Sequence, residues 1–497
     1  MYLQLFAQIL LFFPEVFLSL SCLQIMVYGV LMATNPSYNF PIIQGNIYYL
    51  SLYVILFCFV LTLYSPVEQM ALFSDTFVFD DIAYVSKLVL FGAAFFTLVL
   101  IQPYLAAYKV NNFEYFLLLL FSLLGFSLLV SSHDFLSVYL AIELSALSAY
   151  ILAAFQRKSI FSSEAGLKYF IMGAFASGLL LFGFSHIYGF CGTTTFSEIA
   201  TLNFSADFSH QPILEVAIVF VLSGILFKLA AFPLHMWSPD VYEGSPTSST
   251  VFFALVPKIA LISFLYRFLY FVFPSYSYFW GPLLLVTALG SIAVSSFGIF
   301  TQENMKRMLA FSSIGHVGFM LLPLACGQYE GITASALYAI IYTLSGFAVW
   351  GLLIGNMQAK NNFYLVTLSA LNNTNPLLAF IGCLAFFSLA GIPPLIGFYS
   401  KLSVFFSAIA GSLYFAVLFA LFLSLLSTYY YINLVKTLYF EKKREWSFTE
   451  GVCKDLSLTI SVGGLVLFLF FLEPNLLTEM GWLMSLSLED QSLQCRF

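Results

Sequence analysis

Apolar windows of about twenty residues, the length that spans a bilayer as a helix, recur from Leu3 to Leu477. Hydrocarbon offers no water to backbone N–H and C=O groups, and an uninterrupted window of this length satisfies them internally as a helix. The fold class that follows is an all-α membrane protein of about fourteen transmembrane helices. Spans are predicted near residues 3–32, 46–64, 82–105, 112–131, 134–156, 162–190, 212–236, 248–273, 277–299, 304–326, 330–357, 377–407, 411–440 and 456–478. Only 8% of residues are charged, against about 25% in an ordinary soluble domain, so the membrane part is the whole protein rather than an anchor.

Several function classes drop out on residue chemistry. The first segment has no basic region and no small-residue cleavage site, so it reads as a retained span. Cys22, Cys58, Cys191, Cys326, Cys383, Cys453 and Cys495 include no C-x-x-C, which argues against iron-sulfur and structural zinc sites. Among His133, His186, His210, His235 and His316 there is no same-helix pair to ligate stacked haems, and no phosphate-binding glycine loop occurs. Redox chemistry is therefore expected on a partner, with no cofactor in this chain. The 59 Phe and 30 Tyr are compatible with an AT-rich organellar coding bias.

With the connections numbered in order, Lys109, Arg157, Lys158, Lys306, Arg307, Lys360, Lys442, Lys443, Arg444 and Lys454 fall in odd ones. The even ones are read as carrying Glu68, Asp75, Asp80, Asp134, Glu198, Asp207, Asp240, Glu243 and Glu330, with Arg267 the main exception. The positive-inside rule then puts the odd connections on the matrix or cytoplasmic face and both termini on the other.

Two spans carry proline beside polar residues: Phe232-Pro233-Leu234-His235 in the seventh and Gly391-Ile392-Pro393-Pro394 in the twelfth. Both are expected to be broken helices, tolerated at membrane depth only where protein or a water-filled cavity serves the freed backbone. Breaks five helices apart suggest two five-helix repeats, helices 4–8 and 9–13, and an odd-numbered unit must be inverted relative to its copy. The expected division is residues 1–110 for the first three helices, 111–275 and 276–440 for the repeats, and 441–497 for a terminal loop and the fourteenth helix.

Four ionisable residues stand inside apolar spans: Glu143 in Y-L-A-I-E-L-S-A-L, Lys228 in G-I-L-F-K-L-A-A-F, Lys258 in L-V-P-K-I-A-L and Lys401 in G-F-Y-S-K-L-S-V-F. Left unpaired in lipid, together they cost roughly 10–14 kcal/mol, so they are expected to face the bundle interior. A carboxylate and amines at membrane depth suit proton relay, because desolvation favours the neutral form of both. A switchable Glu143–Lys228 pair is one such arrangement. Static ion pairs fixing helix register are the alternative, but three lysines against one carboxylate leave a surplus of positive groups. His316, in F-S-S-I-G-H-V-G-F, fits a relay and a satisfied polar core equally. His235, at the seventh-span break, fits a gate or a cap.

The remaining polar residues read more simply. Ser137, Ser145 and Ser148 form a small-residue stripe for helix packing. Lys168 follows Glu164 at the i,i+4 spacing of a surface pair, and Lys436 can snorkel to the interface. Glu15 has no assigned role.

The string from Lys228 to Thr250, K-L-A-A-F-P-L-H-M-W-S-P-D-V-Y-E-G-S-P-T-S-S-T, closely resembles the signature of complex I subunit 2 and its antiporter-like relatives. So do E-A-G-L-K-Y-F-I-M-G-A-F-A-S-G at 164–178, K-R-M-L-A-F-S-S-I-G-H-V-G at 306–318 and A-G-I-P-P-L-I-G-F-Y-S-K at 390–401. By that resemblance Glu143 matches the fifth-helix glutamate, Lys228 its seventh-helix partner, Lys258 the central lysine and Lys401 the twelfth-helix lysine. The resemblance implies a non-redox, proton-translocating subunit of the NADH:ubiquinone reductase, with flavin, iron-sulfur clusters and ubiquinone on partner subunits. It also implies the mitochondrial inner membrane, with both termini toward the intermembrane space. The partners implied are other membrane-arm subunits and lipids, with no nucleic acid and no soluble substrate besides protons. A cation/proton antiporter subunit and a non-pumping structural subunit are the alternatives.

Overall fold

The computed structural model describes residues 8, 10–33, 44–65, 70–108, 112–203, 211–357, 365–369, 371–441 and 452–494. Lys109, Lys360, Lys442, Lys443, Arg444, Glu68, Asp207, His210 and Cys495 lie outside them. The helices in chain order are α1 (Phe13–Ala33), α2 (Gln44–Tyr64), α3 (Asp81–Ala107), α4 (Phe113–Ser131), α5 (Phe135–Ala153), α6 (Ile160–Cys191), α7 (Pro212–Leu229), α8 (Trp237–Gly244), α9 (Thr247–Tyr266), α10 (Ser277–Gly298), α11 (Met305–Leu324), α12 (Tyr329–Met357), α13 (Pro376–Ala390), α14 (Ile396–Ala410), α15 (Tyr414–Tyr439), α16 (Lys454–Leu472) and α17 (Asn475–Gln494). Among the described residues, thirteen helical stretches are long and apolar enough to cross a membrane. The twelfth span is made in two pieces, α13 and α14, and completes fourteen crossings, as read from the sequence.

Both expected breaks are present. α7 stops at Leu229, where Ala230 turns left-handed at φ 60°; Pro233 cannot rejoin the helix for want of an N–H. α13 stops at Ala390, capped by Gly391 at φ 81°. The packing of neighbours recurs between the two halves: α4 lies along α5 as α10 lies along α11. Both contacts depend on glycine, since a Cβ on Gly125 would meet the Ser145 nitrogen at 2.7 Å and one on Gly318 the Ala288 carbonyl at 2.7 Å.

Ion pairing checks the helix count. Arg267, in the π-helical turn Arg267–Val272 that ends the eighth span, is 2% exposed. It donates to the carbonyls of Val130 (2.5 Å) and Ser132 (3.2 Å), between α4 and α5, and to Asp80 (2.5 Å), which caps α3. Gln491 of α17 donates to the second Asp80 oxygen at 3.1 Å. The second, fourth and eighth connections thus meet on one face, which a miscounted span would forbid. Arg267 remains the exception to the charge rule, and its buried pairing with Asp80 offsets the cost of holding it there.

Two acids need correction. Asp240 and Glu243 are not on the acidic face: α8 follows the seventh span, and its carboxylates pair with the basic residues of the opposite face. Asp240 meets Lys168 at 3.0 Å and Arg307 at 3.4 Å, and Glu243 meets Arg307 at 3.0 Å. The Glu164–Lys168 surface pair forms at 2.8 Å. Glu15 acquires a partner in Lys87 of α3, a residue not singled out from sequence; both side chains are 1% exposed.

Besides α8 and single turns of helix, three elements among the described residues go beyond the fourteen spans. A hairpin, β1 (Met70–Leu72) and β2 (Phe77–Phe79), pairs Met70 with Phe79 through a turn in which Phe73, Ser74 and Asp75 all have positive φ. A short helix, Phe196–Asn203, covers the same acidic face. The third is α17, which follows α16, packs on α12 and α3 and buries Leu477, Met484 and Leu488.

Breaking a buried pair from one side strands a charge and costs about 3–5 kcal/mol, whereas replacing both partners is close to neutral. Asp80→Ala should therefore lower the thermal stability of the assembled protein sharply, and Asp80→Ala with Arg267→Met should recover most of it. A strictly additive double mutant would contradict this coupling.

His133, in the turn before α5, packs between Phe196 and Phe271. Burial, reinforced by the Arg267 charge, pushes it down to about 3 from an ordinary 6.5. The unfolded chain takes up a proton near pH 6.5 while the folded one does not, so stability is intact above that pH. Below it, about 1.4 kcal/mol is lost per unit until pH 3. His133→Phe should flatten the fall in melting temperature between pH 6.5 and 4.5; an unchanged slope would rule out this titration.

Candidate functional site

At the end of α7 the chain must satisfy carbonyls that no further turn of helix can serve. Ala231 N–H bonds the Leu226 carbonyl at 2.9 Å, and the Trp237 indole reaches back from α8 to the Phe227 carbonyl at 2.9 Å. Lys228 sits in this last turn, where the negative end of the helix dipole favours a cation. Its ammonium donates to the Tyr150 hydroxyl at 3.0 Å. The close fit of Tyr150 depends on Gly173 of α6, where a Cβ would lie 2.1 Å from that hydroxyl.

Glu143 is half-buried on α5, and its Oε1 has no hydrogen-bond partner among the described residues. The expected Glu143–Lys228 ion pair is not made; Tyr150, two turns along the same helix, takes the ammonium instead. The two charges remain within electrostatic reach of one another. Ser145 and Ser148 spend their hydroxyls on the carbonyls of their own helix.

Lys258 lies 4% exposed in the middle of α9 and donates to the Ser313 carbonyl (3.3 Å) and the Tyr342 hydroxyl (3.1 Å). A cavity with room for roughly one to three waters lies on the Lys228 side, lined by Lys228, Ser145, Tyr169 and the α9 residues Pro257 and Leu261, and Lys258 does not line it. On the other side of Lys258 the Tyr342 ring stands 5.0 Å from the His316 ring. His316 is held at both nitrogens: Nδ1 with the Tyr338 hydroxyl at 2.9 Å, Nε2 with the Tyr431 hydroxyl at 3.0 Å.

Lys401 closes the series. It extends from α14 back across the break to the Ala390 carbonyl at 2.6 Å, the open end of α13, and lies 5.4 Å from the Phe319 ring centroid. Lys401, His316, Tyr338 and Tyr342 line one small cavity together with Ser388 and Ser400. Lys258, His316 and Lys401 thus share a continuous polar neighbourhood, whereas Lys228 makes its contact with Tyr150 and opens on a separate cavity that reaches α9 beside Lys258. His235 lies apart: its ring stacks on Phe232 at the break, and Nδ1 has no partner among the described residues.

Four phenols join the charges: Tyr150, which the helical spacing already places on the Glu143 face of α5, and Tyr338, Tyr342 and Tyr431, which sequence reasoning missed. Tyr338 and Tyr342 are spaced i,i+4 on α12 and so share a face, but the sequence holds thirty tyrosines and that spacing alone does not choose among them.

Residues 132–427 match the family described as "NADH:quinone oxidoreductase/Mrp antiporter, TM". The chain belongs to this family. All six candidate residues fall inside the matched stretch. The chain is 37% identical over 469 residues to NADH-ubiquinone oxidoreductase chain 2 of Marchantia polymorpha, covering 93% of this chain and 95% of that one. It is also 37% identical over 471 residues to NADH-quinone oxidoreductase subunit N of Pelagibacter ubique (strain HTCC1062), covering 94% and 97%. Among solved structures it resembles a chain of respiratory complex I from Thermus thermophilus with bound aureothin, with a TM-score of 0.79 and 26% identity over 94% of this chain and 98% of that one.

Gly391 serves this family site twice, through its positive φ and because a Cβ there would meet Lys401 Cδ at 2.7 Å. Gly391→Ala should cost about 1–3 kcal/mol of backbone strain and push the ammonium off the Ala390 carbonyl. Loss of proton transfer out of proportion to loss of thermal stability would report the displacement; a change in stability alone would refute it.

Proposed function

We propose that the chain is a proton-translocating membrane-arm subunit of NADH:quinone oxidoreductase, carrying protons between Glu143, Lys228, Lys258, His316 and Lys401. The observation that carries this reading is the shared neighbourhood of Lys258, Tyr342, His316 and Lys401, buried cations partnered by neutral groups that can exchange protons. Each hop needs a donor and an acceptor within hydrogen-bond reach or one water apart, and the reading is supported by the contacts of about 3 Å from Lys228 to Tyr150, Lys258 to Tyr342 and His316 to Tyr338, with a small cavity shared by His316 and Lys401. His235 has a lesser claim, as a group at the hinge of the break.

The chain contributes no redox centre in this reading; NADH oxidation, flavin, iron-sulfur clusters and ubiquinone belong to partner subunits. Its relatives carry names from both mitochondrial and bacterial enzymes. The mitochondrial inner membrane is favoured by the Phe-rich composition, with both termini toward the intermembrane space from the charge of the connections. Division into residues 1–110, 111–275, 276–440 and 441–497 remains the natural one, with α17 added to the last.

The test uses the assembled complex in sealed membrane vesicles. Lys258→Met and Glu143→Gln should each lower NADH-driven proton pumping by about ten-fold or more, as loss of a proton-transfer group does, while the complex still assembles. Undiminished pumping in both would overturn the reading. Purification without NADH–quinone activity, in a complex that exchanges cations for protons, would favour the antiporter instead.

A further inference from the structure

Lys228 is fixed at both ends by one set of aromatic rings, which reaches across the seventh-span break. Its ammonium donates to the Tyr150 hydroxyl at 3.0 Å and lies 5.3 Å from the centre of that ring. The Tyr150 ring meets Tyr169 of α6 edge to face, with 4.8 Å between centroids, and Tyr169 stacks flat on Trp237, the first residue of α8, at 4.7 Å. Trp237 then returns to α7: its ring lies 5.4 Å from that of Phe227, and its indole N–H donates to the Phe227 carbonyl at 2.9 Å. Phe227 is bonded to Lys228, so the contacts close into a loop that holds the backbone and the charge of one residue together.

The cavity beside Lys228 leaves room for a second position. It runs along α5 over Ile142, Ser145, Ala146 and Ala149, the stretch that separates Glu143 from Tyr150. Glu143 and Tyr150 share a face of that helix, and the Glu143 Oε1 has no hydrogen-bond partner among the described residues. An ammonium released from Tyr150 therefore has this carboxylate as its counter-charge, down a lane floored mostly by small side chains. The titratable groups around Lys228 are Glu143 and Tyr150 on α5 and Tyr169 on α6. α9 presents Pro257 and Leu261 to the cavity, and α10 meets the far end of α7 through Tyr278 and Glu215. What keeps the ammonium on the neutral hydroxyl is geometric: the phenol fills the space left by Gly173, and Tyr169 backs its ring.

We propose that Tyr150 is a positioning residue for Lys228, and that the Tyr169–Trp237 stack makes its hold depend on the cap of the seventh-span break. The proposal rests on the proton-transfer reading above. With Trp237 docked on Phe227, the phenol stays where Gly173 admits it and the ammonium bonds a neutral oxygen. When Trp237 leaves Phe227, Tyr169 loses its stacking partner and the last turn of α7 loses a carbonyl partner in the same movement. Lys228 then swings along α5 toward Glu143. A cation beside a carboxylate keeps its proton to higher pH than one on a neutral hydroxyl. The cap of the break thereby governs how firmly Lys228 holds its proton, and no proton passes through the aromatic rings.

The experiment follows NADH-driven pumping against pH in sealed vesicles that contain the whole complex. Tyr150→Phe keeps the ring and its edge-to-face contact and removes only the hydroxyl; Trp237→Phe keeps a ring against Tyr169 and removes the indole N–H. Both should pump several-fold more slowly at neutral pH, with the pH optimum of Tyr150→Phe moved upward by about one unit and that of Trp237→Phe moved the same way by less. A shift in Tyr150→Phe alone would overturn the link to the break. A merely structural role for the rings predicts less assembled complex with an unmoved pH profile, and that result overturns the proposal as a whole. Should Tyr150→Phe fail to assemble, the profile of Trp237→Phe decides. Unmoved profiles with Glu143→Gln impaired strike out the positioning role and leave the proton-transfer reading standing. Normal pumping in Glu143→Gln and Lys258→Met brings down that reading itself.

Discussion

An ammonium group at membrane depth must find an acceptor, because lipid supplies none and an unserved charge there is expensive. This chain meets that demand in two ways, and the difference organises the molecule. Lys87 and Arg267 are closed against the carboxylates of Glu15 and Asp80. Among the described residues, Lys228, Lys258 and Lys401 bond only neutral oxygens, from a tyrosine, a carbonyl with a tyrosine, and a helix-end carbonyl. A cation paired with an anion is held in its charged state by that partner. A cation on a neutral acceptor keeps its hydrogen bond but loses the electrostatic lock, and can change protonation with less reorganisation.

The second helix break supplies one of those neutral acceptors. Inside a continuous helix each carbonyl already accepts from the N–H four residues later, so a side chain can only share it, as Lys258 shares that of Ser313, whereas the last carbonyls of a helix are left unserved. Ending α13 at Ala390 releases a carbonyl aimed across the gap at Lys401, and Gly391 supplies both the turn and the clearance. Pro257 does the same inside α9 on a smaller scale, freeing the Phe253 carbonyl for Tyr242. Proline and glycine thus determine where polar chemistry is admitted into an otherwise apolar bundle.

How much of this was readable in advance follows from the range of each interaction. The spans and both breaks were legible, since apolar length and proline position act within one segment. Glu143, Lys228, Lys258 and Lys401 were legible as charges out of place. Their partners were not: Tyr150 displaces Glu143 as the contact of Lys228 because Gly173 on a third helix makes room for it. Asp240 and Glu243 were assigned to the wrong face by numbering, since residues 237–247 join the seventh span to the eighth and so form an odd connection, as their pairs with Lys168 and Arg307 bear out. The partnership of Glu15 with Lys87 joins residues far apart in the chain, beyond any local pattern. α17 escaped notice because its mixed polarity resembles neither a span nor a loop.

His316 shows what the axis gains from neutral partners. A neutral imidazole has one donor and one acceptor nitrogen, so of Tyr338 and Tyr431 one must donate to the ring and the other accept from it. Reversing both phenols turns one tautomer into the other without moving a heavy atom. The protonated ring would donate to both, so all three states fit the same geometry. Lys258 reaches this ring through Tyr342 and Lys401 shares a small cavity with it, and like charges in a medium of low dielectric oppose simultaneous ionisation. A proton arriving on one of the three groups therefore weakens the hold of the other two on theirs, which is a physical basis for passing charge along the row rather than storing it.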